Sequence, residues 1–255
     1  MSKPTIKTCG LLLALAAAGG CSSYAVPGRG ADLKAIDLTP AYTDAHSDPS
    51  VVAERDRKPT AHFPATIAVV RIQGDHYDGR TVQMYGSGKY SVAVTRDVEK
   101  QEQFDKLAAM PMVRQLEPIN RLELPEYLNS EKDLRDAAAK LHADMLLIYT
   151  FDDTFQDRDD AALATIFTLG IAPTKQLKVT CVVSAVLVDV SNGYVYGAAD
   201  ASQDKTTLAD DWGEDAAADA VREEVEAAAF QKLCDNLAKT WGNVVNEYAP
   251  AAAKP

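Results

Sequence analysis

Two apolar rhythms alternate along this chain, one of period two and one near period four, and together they predict a domain of strands and helices. Ala65 to Gln73 is a compact β-branched run, which reads as a buried strand. Gly74 to Gly79 reads as a loop. Weaker strand signals over 80–95 sharpen at Tyr90 to Thr95, after turn material at Gly86 and Gly88. From Asp97, a partial stripe of Val98, Phe104 and Leu107 predicts a helix that stops before Pro111, and Met112 to Leu116 a short strand. Ser130 followed three residues later by Asp133 predicts a capped helix from Glu131 to about His142. Its apolar side is Leu134, Ala137, Ala138 and Leu141. Ala143 to Phe151 is the next buried strand. The longest strand runs from Leu177 to Val190, with Leu177, Val179, Cys181, Val183, Ala185 and Leu187 on one face. Ser191-Asn192-Gly193 is a tight-turn signal, because Asn-Gly takes positive φ at low cost. Tyr194 to Ala198 returns as the partner strand. Val221, Val225, Phe230, Leu233, Cys234, Leu237, Trp241, Val244 and Val245 then mark a closing helix from about Glu214 to Tyr248.

This order predicts an α/β sandwich: a mixed, mostly antiparallel sheet with helices packed mainly on one face. The single domain spans 63–248, and residues 249–255 are a frayed tail. Residues 21–62 mix Ser, Gly, Pro, Asp and Lys with scattered apolar residues, which reads as a flexible tether. About forty such residues have an rms span of roughly 35 Å.

Ahead of the tether, Lys3 and Lys7 precede a short apolar run from Leu11 to Ala18, and Gly19-Gly20-Cys21 follows. A basic start, an apolar core and small residues before a cut site predict a signal peptide over 1–20. The run is too short to span a bilayer as a helix. Cys21 directly after Ala-Gly-Gly resembles the lipobox of bacterial lipoproteins. The resemblance implies that Cys21 becomes the first mature residue and carries a lipid. Ser22 rather than Asp after the anchor resembles sorting to the outer membrane, with the domain facing the periplasm.

Charge narrows the partners. The whole chain has 26 basic and 37 acidic residues, and loss of Lys3 and Lys7 leaves a net of −13. Nucleic acid is disfavoured, because its binding relies on neutralised phosphates. Adhesion to anionic lipid by charge is disfavoured too, so membrane attachment falls to the acyl chains of Cys21.

Chemistry-bearing motifs are few. There is no Gly-x-Ser-x-Gly, no phosphate loop and no His-Glu-x-x-His. His76, in Gly74-Asp75-His76-Tyr77-Asp78-Gly79, has no second His or Cys cluster at ligand spacing. The acidic stretch over 152–160 holds five Asp but lacks the spacing and glycine of a calcium loop, and it reads as a solvated loop. No catalytic residue, metal or cofactor is assigned. Cys181 and Cys234 fall on predicted inward faces, and a disulfide between them or two reduced core thiols are the alternatives. The apolar segment 161–172, with Leu163, Ile166, Phe167, Leu169 and Ile171, is either a core cover or a contact for a partner or membrane.

The order of elements over roughly 64–246 resembles the α/β domain of the curli secretion lipoprotein family (CsgG-like), the lipoprotein activators of penicillin-binding proteins (LpoB-like) and the amino-terminal domain of TolB. Ala143-Asp144 opening a strand after an Ala-rich helix carries the likeness, as does Leu187-Val188-Asp189-Val190-Ser191-Asn192-Gly193 before the next strand. The expectation is a non-enzymatic, membrane-tethered lipoprotein of the envelope. It would bind a protein partner or associate with itself, through the sheet edge or 161–172. Two alternatives stand beside it: a subunit of an oligomeric outer-membrane pore or secretion complex, and an enzyme acting on envelope polymers.

Overall fold

A computed structural model describes residue 30, residues 49–74, residue 77 and residues 82–159, 175–209 and 214–250. Strand β1 (Ala65–Gly74) is central. Along one edge it pairs in parallel with β7 (Met145–Asp159). Along the other, its first half pairs in parallel with β5 (Val113–Pro118) and its end pairs antiparallel with β4 (Tyr90–Ala93). The short β2 (Met84–Tyr85) flanks β4. Beyond β7 lie β8 (Lys175–Asp189) and β9 (Val195–Ala209), both antiparallel, which completes a seven-stranded sheet in a mixed α/β fold. A separate two-stranded sheet joins β3 (Ser87–Gly88) to β6 (Tyr127–Leu128).

Alternation along the strands sorts the core into two faces. Ile67, Val69, Leu147, Phe151, Val179, Val183 and Leu187 pack under α2 (Gln101–Ala108) and the long α4 (Glu214–Tyr248). Ala68, Val70, Ile72, Leu146, Ile148, Val186 and Val188 pack under α3 (Glu131–Lys140). The helices therefore flank both faces, with the longest on the first. The reason lies in β1 and β7. Both are apolar on odd and even positions, so each face needs a cover.

Local signals hold at α3. The Asp133 carboxylate accepts the Asn129 and Ser130 N–H groups, both at 2.9 Å, satisfying donors at the helix start. At its end the chain turns through His142 in the left-handed region, φ 55°. The helix expected from Asp97 begins only at Gln101, because Asp97 and Glu99 are drawn into the interior.

Two departures are larger. The acidic stretch is strand, not loop: β7 pairs with β8 in unbroken register to Asp159↔Lys175. Phe151 and Asp153 point inward while Asp152, Thr154 and Gln156 face out, so the stretch alternates as a regular strand does. β9 likewise runs on to Ala209, far past Ala198, because β8 offers it a full-length edge.

Order also begins before Phe63, within the segment expected to be tether. Pro49–Asp56 forms α1, and the residues after it dock on the β8–β9 turn. The anchor is buried Asp189. Its carboxylate accepts the Thr60 N–H (2.8 Å), the Thr60 hydroxyl (2.9 Å), the Tyr196 hydroxyl (2.9 Å) and the Ser191 N–H (2.9 Å). Asn192 adds a bond to the Lys58 carbonyl at 2.8 Å, and Gly193 supplies the positive φ of 74° that the turn requires. Burial by itself raises the Asp189 pKa, but the hydrogen bonds from Thr60, Tyr196 and Ser191 outweigh it and hold it below the ordinary carboxylate range.

A depressed pKa means that this stabilisation is present above the unfolded-state value near 3.8 and is lost as pH falls through the folded-state value. Asp189→Ala leaves several buried donors unanswered and is expected to cost about 2–3 kcal/mol. Denaturant melts at pH 7, with protease sensitivity of residues 49–61, test this. An unchanged midpoint would remove Asp189 as the clamp.

Candidate functional site: a buried charge cluster at the root of an exposed arm

Past Tyr149, β7 has no β1 neighbour, and β7, β8 and β9 continue as a three-stranded arm. The first half of α4 covers one face of this arm through Ala218, Val221 and Val225. Where arm, body and α4 meet, charged side chains fill the interior instead of apolar ones.

Arg71 takes the odd face of β1, two residues after Val69. Its guanidinium donates to Asp97 Oδ1 at 2.8 Å, Glu99 Oε1 at 3.3 Å and the Tyr77 hydroxyl at 3.1 Å. It also lies 4.5 Å from the Phe151 ring centroid, in cation–π range. The Tyr149 hydroxyl donates to Glu99 at 2.9 Å. From α4, Arg222 donates to Glu226 one turn on, at 2.8 Å, and lies 3.9 Å from Asp97. Tyr149, Phe151 and Phe230 stack around these ions, with centroids 5.2–6.1 Å apart. Both arginines, Asp97, Glu99 and Glu226 have side chains no more than 3% exposed.

Burial would strip the Arg71 charge, but the carboxylates of Glu99, foremost, and Asp97 keep it protonated. Glu226 goes the other way. Burial, then the facing Asp153 carboxyl, pushes its pKa up to about 9, and Arg222 and Arg71 only partly oppose this. Glu226 Oε1 and Asp153 Oδ1 are both buried with no conventional partner. A proton held between them supplies the missing donor and explains both oxygens at once. Burial, then Asp153, also keeps the neighbouring Cys181 a thiol.

A buried carboxyl of raised pKa meets the chemical criterion for a general acid. Glu226 is fully buried. The cavity beside Arg71, Glu99 and Tyr149 is 60 Å³, the volume of about two waters. Among the described residues, no group of three His, Cys, Asp or Glu is placed to hold a metal.

The sequence-derived candidates are scattered relative to this cluster. Cys21, His76, Leu163, Ile166, Phe167, Leu169 and Ile171 lie outside the described residues. The last described pair of the arm is Asp159↔Lys175. Cys181 and Cys234 are buried free thiols, so the bridge is not formed. They share an apolar cluster but face different neighbours, Cys181 toward Asp153 and Glu226, Cys234 toward Asp235, Lys106 and Glu99. Burial, then Asp235, raises the Cys234 thiol to about 12. The cluster residues themselves were not singled out by sequence. One signal was present: Arg71 interrupts an apolar run, and Arg222 and Glu226 each follow a core valine of the α4 stripe.

No protein-family profile matches the chain, and no curated protein is significantly similar to it.

The raised Glu226 pKa fixes a sign. Stabilisation is complete below the ordinary value of 4.5 and is lost as pH rises toward about 9. The slope of stability against pH is at most about 1.4 kcal/mol per pH unit for one proton. Glu226→Gln keeps a donor for Asp153 and an acceptor for Arg222 without titrating. It is expected to flatten the alkaline fall, matching the parent at pH 5 and exceeding it at pH 9. Denaturant melts at both values decide this. A parent equally stable at pH 5 and pH 9 would discard the shared proton.

Proposed function

We propose that this chain is a lipoprotein of the bacterial envelope, anchored through Cys21 in the outer membrane, that acts without catalysis as a protein-binding or assembly module. The observation that carries the reading is the arm. Its α4-side face is occupied by packing, whereas its opposite face is uncovered among the described residues. Register places Asp152, Val182 and Ser202 in one cross-strand row there, Thr154, Thr180 and Asp204 in the next, and Gln156, Lys178 and Thr206 in a third. Most of these are exposed, with Val182 an apolar centre among them and exposed Leu208 in the row beyond. A flat polar face around a small apolar spot suits a protein surface better than lipid.

The free edge of β9 is less suited to the contact. Lys232 donates to the Ser202 carbonyl at 3.1 Å, Asn236 to Asp200 at 2.9 Å and Gln203 to Asp204 at 2.9 Å. Side chains thus occupy edge acceptors that an added strand would need. The resemblance to CsgG-like, LpoB-like and TolB amino-terminal domains remains part of the proposal, supported by a matching order of elements.

Strand length favours a second reading, a subunit of an oligomeric pore. Past the last β1 pair each arm strand continues for ten residues, within the roughly 9–11 that cross a bilayer. Against it, a bilayer-crossing strand needs its apolar face toward lipid, and here α4 holds that face. Among the described residues no helix is long and apolar enough to cross a membrane.

Cys21→Ser is expected to abolish acyl labelling and move the protein from the membrane to the soluble fraction. In mild detergent, the native mass of the lipidated protein should be that of a small assembly. A photocrosslinker at Val182 should capture a partner or a second copy. A ring-sized mass without crosslinks at Val182 would transfer the proposal to the pore.

A further inference from the structure

β1 and β7 lie side by side from Ile67↔Met145 to Arg71↔Tyr149 and then part. Gln73 sits just past the parting, with Ser91 of β4 on its far side. On the side that β7 has left, Gly30 forms an antiparallel bridge with Gln73. The Gln73 carboxamide oxygen spans the same gap, accepting the Thr150 hydroxyl at 2.8 Å and the Phe151 N–H at 3.0 Å. The fork between the two strands is therefore closed by one side chain and by backbone from a residue 43 positions earlier in the chain.

The fit admits only glycine. A Cβ on Gly30 would lie 2.6 Å from the Phe151 carbonyl oxygen and 2.9 Å from Thr150 Oγ1. Phe151 is fixed by its pairing with Val183, so the backbone there has no freedom to yield. Gln73 is fully buried although β1 ends one residue later, as expected if foreign backbone covers it.

We infer that the β1–β7 fork is a docking site for the chain's own N-terminal segment, seated at Gly30, and that this seat shortens the leash between anchor and body. The length rests on the reading of Cys21 as the anchor. Gly30 lies nine positions after Cys21, a reach of at most about 30 Å. Without the seat, the first strong attachment among the described residues is Thr60 on Asp189, and a leash to that point extends to at most roughly 115 Å, allowing for α1. Since the fork is also the root of the arm, the arm is kept near the membrane that holds the lipid.

Two insertions in the full lipidated chain test this. Ten Gly-Ser residues go between Ser22 and Ser23 in one variant and directly after Thr39 in the other. Both are reconstituted in vesicles carrying an acceptor lipid, with a donor dye on Leu122→Cys, a position 82% exposed. Insertion before Gly30 roughly doubles the leash and should lower energy transfer at least twofold. Insertion after Gly30 should leave it unchanged. An equal fall in both overturns the docked seat. Failure of every variant to bind vesicles would overturn Cys21 anchoring and with it the short leash. The seat is then judged on the soluble Cys21→Ser chain, where adding Gly30→Val should speed amide exchange at Gln73 and Phe151 at least tenfold with exchange in β8 unchanged. Unaltered exchange at Gln73 and Phe151 would overturn the seat.

Discussion

The buried guanidinium of Arg71 is the constraint on which the rest of this architecture depends. A charge removed from water must be paired, and removal of one partner typically costs several kcal/mol. Arg71 finds its partners on the link between β4 and α2, in Asp97 and Glu99. Asp97 also lies near Arg222 of α4, and Arg222 engages Glu226, which faces Asp153 on β7. One chain of contacts thus ties the central strand, the arm, a loop and the longest helix together. Apolar packing is non-directional, so α4 could slide by a turn and keep an apolar stripe against the sheet. It could not do so and keep Glu226 against Asp153.

A second polar clamp works at the opposite end of the sheet. Asp189 gathers Thr60, Ser191 and Tyr196 and fixes the segment that precedes β1. The two sites titrate in opposite senses. The carboxylate of Asp189 must be charged to hold its donors, whereas the Asp153–Glu226 pair must keep its proton. Acid loosens the first and alkali the second, which leaves greatest stability between those limits.

The arm follows from these clamps. Ten residues of each of three strands project past β1, and a sheet of that length needs at least one covered face. α4 provides the cover and is held there by the charge cluster. The other face is left to solvent and, on the proposed function, to a partner. Side chains from α4 and from Gln203 occupy edge carbonyls of β9, which steers contact toward the face and away from open-ended strand addition.

Local physics is legible in the sequence. The β-branched run of β1, the Ser130–Asp133 start of α3, the odd-position face of β8, the Asn-Gly turn and the stripe of α4 all came from nearest neighbours and periodicity, which need no distant partner. Tertiary structure alone decided the rest. Asp152 to Asp159 became strand because β8 offered a full edge, and the inward Asp153 became tolerable because Glu226 met it from 73 residues away. Residues 57–61 became ordered because Asp189 supplied acceptors. Helices took both faces because β1 and β7 are apolar on each. Cys181 and Cys234 stayed apart because each faces a different part of one core. In each case composition records a polar or ambiguous residue, while its structural role depends on a partner that only the folded chain brings within hydrogen-bonding distance.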